Sequence, residues 1–161
     1  MGLVRSRSSP APDTLGLVCR PADGQRELAT HHSIRRAVFV LEQGLFPLDD
    51  RDVHDSEAAT IRVLGLDDGV PAGTVRLYPL GGGIWKGDRL AVLPEHRRVG
   101  SLGASLVHYA VSTAGALGGS RMEAQIQAGN VRFFQALGWS VVGDLAEYLG
   151  LPHQKMSIAL R

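Results

Sequence analysis

Val92-Leu93-Pro94-Glu95-His96-Arg97-Arg98-Val99-Gly100-Ser101-Leu102-Gly103 gathers the residue types that hold a phosphate. Two adjacent arginines supply charge and forked donors. Gly100 and Gly103 have no Cβ, so backbone N–H groups beside them can approach a ligand closely. Leu102, Leu106, Ala110, Ala114 and Leu117 then recur every three to four positions until Gly118-Gly119, the pattern of a helix with one buried face and its stop. Pro94 marks where the preceding strand must end. A strand, a loop and a helix in this order offer a phosphate the unsatisfied amides and positive dipole end of the helix N-terminus.

A second concentration of chemistry is acidic. Phe46-Pro-Leu-Asp-Asp-Arg-Asp-Val-His-Asp55 has four aspartates and one histidine in ten residues, a set that could attract an amine or a metal. The spacing matches no calcium loop and only one histidine is present, so no metal is expected. A solvated loop is the plain alternative to amine attraction. Cys19 is the only cysteine, which excludes an internal disulfide and a cysteine-rich metal site and suits a reducing compartment, the cytoplasm.

The elements that must position these groups follow from length and pattern. A chain of 161 residues supports one domain with its own core. Hydrophobic residues at 44% and charged residues at 20% are those of a globular protein, and a net charge of +1 without a basic stripe speaks against nucleic acid. No apolar run approaches the ~20 residues that cross a bilayer, so no membrane is expected. Residues 1–13 lack periodicity and read as a flexible arm, which leaves 14–161 as a single domain. Leu15 to Arg20 suits a first strand, and Leu28, Ile34, Val38 and Leu41 predict a helix from Glu27 to Gly44. Two alternating runs joined at Asp67-Asp68-Gly69 predict a hairpin, followed by a long flexible turn at Gly81-Gly82-Gly83 and a strand over 88–93. Arg121 to Gln127 predicts a fifth strand, parallel to the fourth through the helical crossover. An apolar strand closes the chain after a Gly150-Leu-Pro-His153 loop.

Taken with Val92-Leu93-Pro94, the segment Arg97-Arg98-Val99-Gly100 resembles the acetyl-CoA-binding segment of the GNAT family of N-acetyltransferases, Arg/Gln-x-x-Gly-x-Gly/Ala after a strand ending in Val-x-Pro. Counted from the strand, Arg97 and Gly100 match and Leu102 takes the second small position. Counted back from Leu106, Arg98 and Gly103 match and Ser101 takes the first glycine. Three further pieces carry the resemblance. Arg35-Arg36-Ala-Val-Phe-Val-Leu-Glu-Gln43 is similar to the first helix of the ElaA-like subgroup and, more loosely, of acyl-homoserine-lactone synthases. Asn130-Val-Arg-Phe-Phe-Gln-Ala-Leu-Gly-Trp139 resembles the family's Asn-x-x-Phe-Tyr-x-x-Leu-Gly-Phe, and Gly150-Leu-Pro-His-x-x-Met156 resembles an ElaA-like ending. One departure matters: Phe134 stands where the family often has a tyrosine that protonates the leaving thiolate.

The resemblance implies an α+β, three-layer fold: a mixed sheet of about six to seven strands, splayed between the fourth and fifth and flanked by helices. Acetyl-CoA would lie in that opening, with no metal. Its pantetheine arm would run along Ala91, Val92 and Leu93, and its pyrophosphate would sit on Arg97 and the amides of Arg98, Val99, Gly100, Ser101, Leu102 and Gly103. Asn130 and Phe133 would complete the contacts. An N–H near Val92 or Leu93 would receive the oxyanion, and the acceptor would be a primary amine of a small molecule or peptide. Glu42, Glu95 and His153 are the candidate bases, and His153 or Tyr148 the candidate acid. A homodimer through an edge strand or the first helix is compatible with the chain. The rival readings are an acyl-CoA-binding module without turnover and an acyl-homoserine-lactone-synthase-like enzyme, which predicts a deep acyl tunnel and a longer chain.

Overall fold

The computed structural model describes residues 16–97 and 102–161. The arm expected over 1–13 and the loop residues Arg98, Val99, Gly100 and Ser101 lie outside the described residues. The strands are β1 (Leu17–Pro21), β2 (Ile61–Asp67), β3 (Val70–Gly81), β4 (Ile84–Val92), β5 (Arg121–Gln127), β6 (Ser140–Val141), β7 (Ala146–Tyr148) and β8 (Leu151–Ala159). They form one mixed sheet in the order β1-β2-β3-β4-β5-β8-β6, with β7 paired to β8. All described pairings are antiparallel except β4 with β5.

Both early hairpins turn tightly. Asp68 and Gly69 take φ of +50° and +80° between β2 and β3, the double left-handed geometry that matches strand twist. Gly82 and Gly83 do the same between β3 and β4, at +64° and +81°. The long flexible turn expected there is therefore a two-residue one, and β4 begins at Ile84 rather than residue 88.

Helix α1 (Gly24–Arg35) runs directly into a π-helical stretch, Arg36–Glu42, and Gly44 ends it at φ +64°. The wider turn buries three consecutive residues, Val38, Phe39 and Val40. Leu41, placed by simple helical spacing on the apolar face, is instead 67% exposed. Helix α2 (Leu102–Ala116) follows the expected pattern through Ala114, while Leu117 lies beyond its end and is exposed. Helix α3 (Val131–Ala136) follows β5.

The two faces of the sheet carry separate cores. Val63 and Leu64 are neighbours on β2 and so point to opposite faces. Leu64 packs with Ile34, Val38, Phe39 and Ala91 under α1 and the π-helical stretch. Val63 joins Leu102, Leu106, Val107, Ala110, Met122, Phe134 and Trp139 under α2 and α3. Helix α2 sits unusually close, because a Cβ on Gly73 would lie 2.8 Å from Leu106 Cδ1 and 3.0 Å from the Ala91 backbone oxygen. Gly73→Ala is expected to lower unfolding stability by ~1–3 kcal/mol in urea titration, the range for overpacking a core. Gly129→Ala, which meets nothing within 4 Å, is the control and should leave the midpoint in place.

Candidate active site

The site begins where the sheet comes apart. β4 and β5 pair only at Ile84–Arg121, Trp85–Met122 and Lys86–Glu123. Beyond Gly87 the strands diverge, and a cleft with an interior of about 140 Å³ opens between them. Alternation along β5 gives the cleft two characters. Met122, Ala124 and Ile126 are buried toward α2, whereas Gln125 and Gln127 face the α1 side.

The β4 wall is shaped by a bulge. From Arg76 to Thr74 is two residues on β3, while their partners Asp88 and Ala91 are three apart on β4, so β4 carries one residue too many. Arg89 there takes φ +54°, a strained conformation for a side-chain-bearing residue. Its guanidinium is anchored: Nε donates to Asp50 Oδ2 at 3.0 Å and Nη2 to the Asp50 carbonyl at 2.8 Å. It also lies 5.0 Å from the centre of the Phe46 ring, within cation–π range. Past the bulge, Leu93 N–H donates to Ala72 O at 2.8 Å. Ala91 stands opposite Thr74 and Val92 opposite Gly73. Amides alternate sides along a strand, so Ala91 and Leu93 face β3 and Val92 turns its N–H away from it, although none of the three lines the cleft, whose β4 wall ends at Leu90. Leu93's amide is already spent, which leaves Val92 as the available oxyanion donor of the two.

The acidic segment is not simply solvated. Its aspartates neutralise arginines buried beneath it. Arg35, fully buried on α1, donates to Asp50 Oδ2 at 2.7 Å and to both oxygens of Asp55 at 2.7 and 3.0 Å. Arg76, fully buried on β3, is held by Asp52 at 2.6 Å and by Asp88 at 2.7 Å. Burial works against the Asp55 carboxylate, but the Arg35 hydrogen bonds outweigh it and hold Asp55 well below the usual range. Sequence reasoning missed this network, because helical periodicity does not reveal an arginine on a buried face. The one signal was numerical: an acidic run in which Arg51 alone stands against four aspartates.

His31 belongs to the same layer. Its Nδ1–H donates to Val63 O at 2.9 Å and its Nε2 lies 3.3 Å from Arg35 Nη1. Burial, then the Arg35 charge, pushes its pKa down to about 3. The unfolded histidine protonates near pH ~6.5, so its contribution to stability is full above that and is lost as pH falls from there toward 3. Unfolding stability is expected to drop on acidification from pH 6.5 to 4.5, by at most about 1.4 kcal/mol per pH unit from this group. Urea midpoints of the native chain and His31→Asn across that window check it, and the variant should show the shallower fall.

Of the three predicted bases, only His153 lines the cleft. It lies within β8, not in a loop, paired with Gln127 of β5. It is 4% exposed, and its Nδ1–H donates to Leu151 O at 3.0 Å, which leaves Nε2 as the atom able to take a proton. Tyr148, also lining the cleft, meets its ring edge to face at 5.1 Å. Glu42 instead grips Arg97 through both oxygens, at 2.7 and 2.5 Å, and that hydrogen bonding lowers its pKa. Arg97 Nε donates onward to Val92 O at 2.8 Å. Glu95 is exposed on a short turn and lines no part of the cleft. Asn130 lines the cleft, whereas Phe133 does not; its ring lies 3.7 Å from where a Gly103 Cβ would be. Leu102 is a core residue, fully buried against the sheet. Phe134 and Trp139, edge to face at 5.3 Å, line the cleft on the α2 side.

Residues 28–139 match the profile of the acetyltransferase (GNAT) family. A protein of Bacillus subtilis (strain 168), provisionally named an acetyltransferase, is 29% identical over 134 residues, covering 83% of this chain and 90% of its own. An acyl-CoA N-acyltransferase from Pseudomonas aeruginosa superimposes with a TM-score of 0.75 at 23% identity, over 88% of this chain and 97% of its own. Escherichia coli ElaA does so with a TM-score of 0.74 at 22% identity, over 88% and 97%. These two structures share the fold, and the family match extends over most of the described chain. The protein belongs to the GNAT acetyltransferase family.

Proposed function

We propose that the protein transfers an acetyl group from acetyl-CoA to a primary amine of a small molecule or peptide by direct attack. The observation that carries this reading is the opening between β4 and β5, lined by Leu90 of β4 on one wall and by His153 on the other. The thioester arm would lie along β4 as an added strand. The pyrophosphate would sit at the start of α2, on Arg97 and the amides from Arg98 to Gly103, with Asn130 and Phe133 at its edge.

An alkyl ammonium has no lone pair and is mostly protonated at neutral pH. His153 Nε2 takes the proton, directly or through one water, and the amine attacks the thioester carbon. The Val92 N–H receives the developing oxyanion, a donor worth ~3 kcal/mol. Collapse breaks the C–S bond, the new amide nitrogen gives its second proton to water, and the thiolate leaves with a proton from Tyr148, from the protonated His153 or from water. Glu42 orients Arg97 in this reading, because its ion pair makes it a poor base. A covalent acyl-enzyme route finds no support at Cys19, whose thiol burial pushes up to about 11 and which lies on β1, at the far edge of the sheet. That single half-buried thiol also fits a cytoplasmic setting.

Thermal unfolding with saturating acetyl-CoA, against adenosine and buffer, tests the donor site. At one hundred times Kd a specific ligand adds ~2.7 kcal/mol, a rise of roughly 5–10 °C for this size. Free-thiol release across a varied amine panel tests turnover. Binding without thiol release on any amine would favour the non-catalytic acyl-CoA module.

A further inference from the structure

We infer that the α2 side of the cleft is a chamber for the acyl chain, and that the preferred donors are coenzyme A thioesters of about four to six carbons rather than acetyl-CoA alone. This rests on the coenzyme A reading above and names its donor class.

Small residues make the way in. Lys86–Glu123 is the last pair joining β4 to β5, and the next residues are Gly87 and Ala124. A side chain at Gly87 would press on Met122 Sδ, since a Cβ there would lie 3.2 Å away. Met122 thus packs directly against Gly87, and a larger residue there would have to displace it.

Beyond Gly87 the walls change character. Val75, Val107, Ala110, Met122, Phe134 and Trp139 line the cleft, and each is 6% exposed or less. Apart from the Met122 thioether, these side chains carry one polar atom, Trp139 Nε1. The α1 side, by contrast, is mixed: Phe39, Leu45 and Phe46 line it beside Gln43, whose Oε1 accepts from Gln127 Nε2 at 3.1 Å, and His153 stands next to Gln127. A thioester carbonyl held at the Val92 amide would present its carbon to an amine on that side and its alkyl group to the apolar one. Phe134 strengthens the contrast, because a tyrosine there would place a hydroxyl among these apolar walls.

Size sets the chain length. An acetyl methyl fills little of a cleft of about 140 Å³, whereas an apolar cavity of ~150 Å³ holds a whole benzene. Shared with the end of the thioester arm, that space suits a butyryl to hexanoyl chain.

Calorimetric titration of the full chain with coenzyme A and its acetyl, butyryl, hexanoyl and decanoyl thioesters tests the inference without a known acceptor. From acetyl to hexanoyl, Kd is expected to fall about fourfold per added methylene, and decanoyl should gain nothing more. Ala110→Leu should flatten the series, so that hexanoyl binds no tighter than acetyl. Should that variant not fold, Val107→Ala must move the optimum to a longer chain. A Kd constant from acetyl to hexanoyl, with coenzyme A still bound, overturns the chamber and leaves the acetyltransferase reading intact. No binding of any thioester overturns both.

Discussion

His153→Ala is expected to lower kcat for amine acetylation by at least ~10²-fold, the contribution of a positioned general base, while the KM for acetyl-CoA stays within about twofold. The reasoning is geometric. His153 lines the cleft, its Nδ1–H is tied to Leu151 O, and strand pairing fixes it opposite Gln127. Ring orientation and tautomer are therefore set before any amine arrives. The same measurement on Glu95→Ala should give a loss of less than threefold, because Glu95 is exposed and off the cleft. Glu42→Ala should act mainly on the KM for acetyl-CoA, by freeing Arg97 from its ion pair. Tyr148→Phe separates acid from base: if tyrosine protonates the thiolate, kcat falls with the slow amines and with the fast ones alike. A threefold or smaller effect at His153 would sink the assignment.

The second large effect is on stability. Asp50→Ala is expected to cost ~3–5 kcal/mol, because it strips a counter-charge from the fully buried Arg35 and removes the anchor of Arg89. For a domain of this size that is a fall of roughly 6–20 °C in Tm, a large share of a typical 5–15 kcal/mol total. Replacing both charges, Arg35→Met with Asp50→Leu, should recover part of the loss, since a buried pair exchanged for apolar groups is often neutral. Calorimetry on the two variants decides it. A loss under 1 kcal/mol in Asp50→Ala would mean that solvent, not Asp50, balances Arg35.

The same network explains what was and was not legible in the sequence. The helix from Leu102, the Asp68-Gly69 hairpin, the parallel β4–β5 pair and the opening between them all follow from local pattern or from a motif resemblance. The helix and the hairpin depend on residues near in sequence, the parallel pair follows from the helical crossover between its strands, and the opening follows from the resemblance. The Arg89 bulge had no such signal: one extra residue in β4 shows only when its partner strand is aligned. Burial of Arg35 depends on aspartates 15 and 20 positions away, and that of Arg76 on aspartates 12 to 24 away. Among candidate bases, a helical glutamate and a terminal histidine look equally plausible in sequence. Pairing of Gln127 with His153 separates them, since it carries one into the cleft while Arg97 claims the other.

The three-pair join between β4 and β5 has a further consequence for how the molecule opens. On one side stand β1 to β4, with two-residue turns joining β2 to β3 and β3 to β4; on the other, β5 and β8 share seven paired positions. Each half can hold its own hydrogen bonds while the join between them frays. Amide exchange at Arg121 to Glu123 should thus outpace that in the centre of β3, and the substrates would lie along the weakest seam of the sheet. A ligand spanning that seam would act as a strap, slowing exchange in both halves at once.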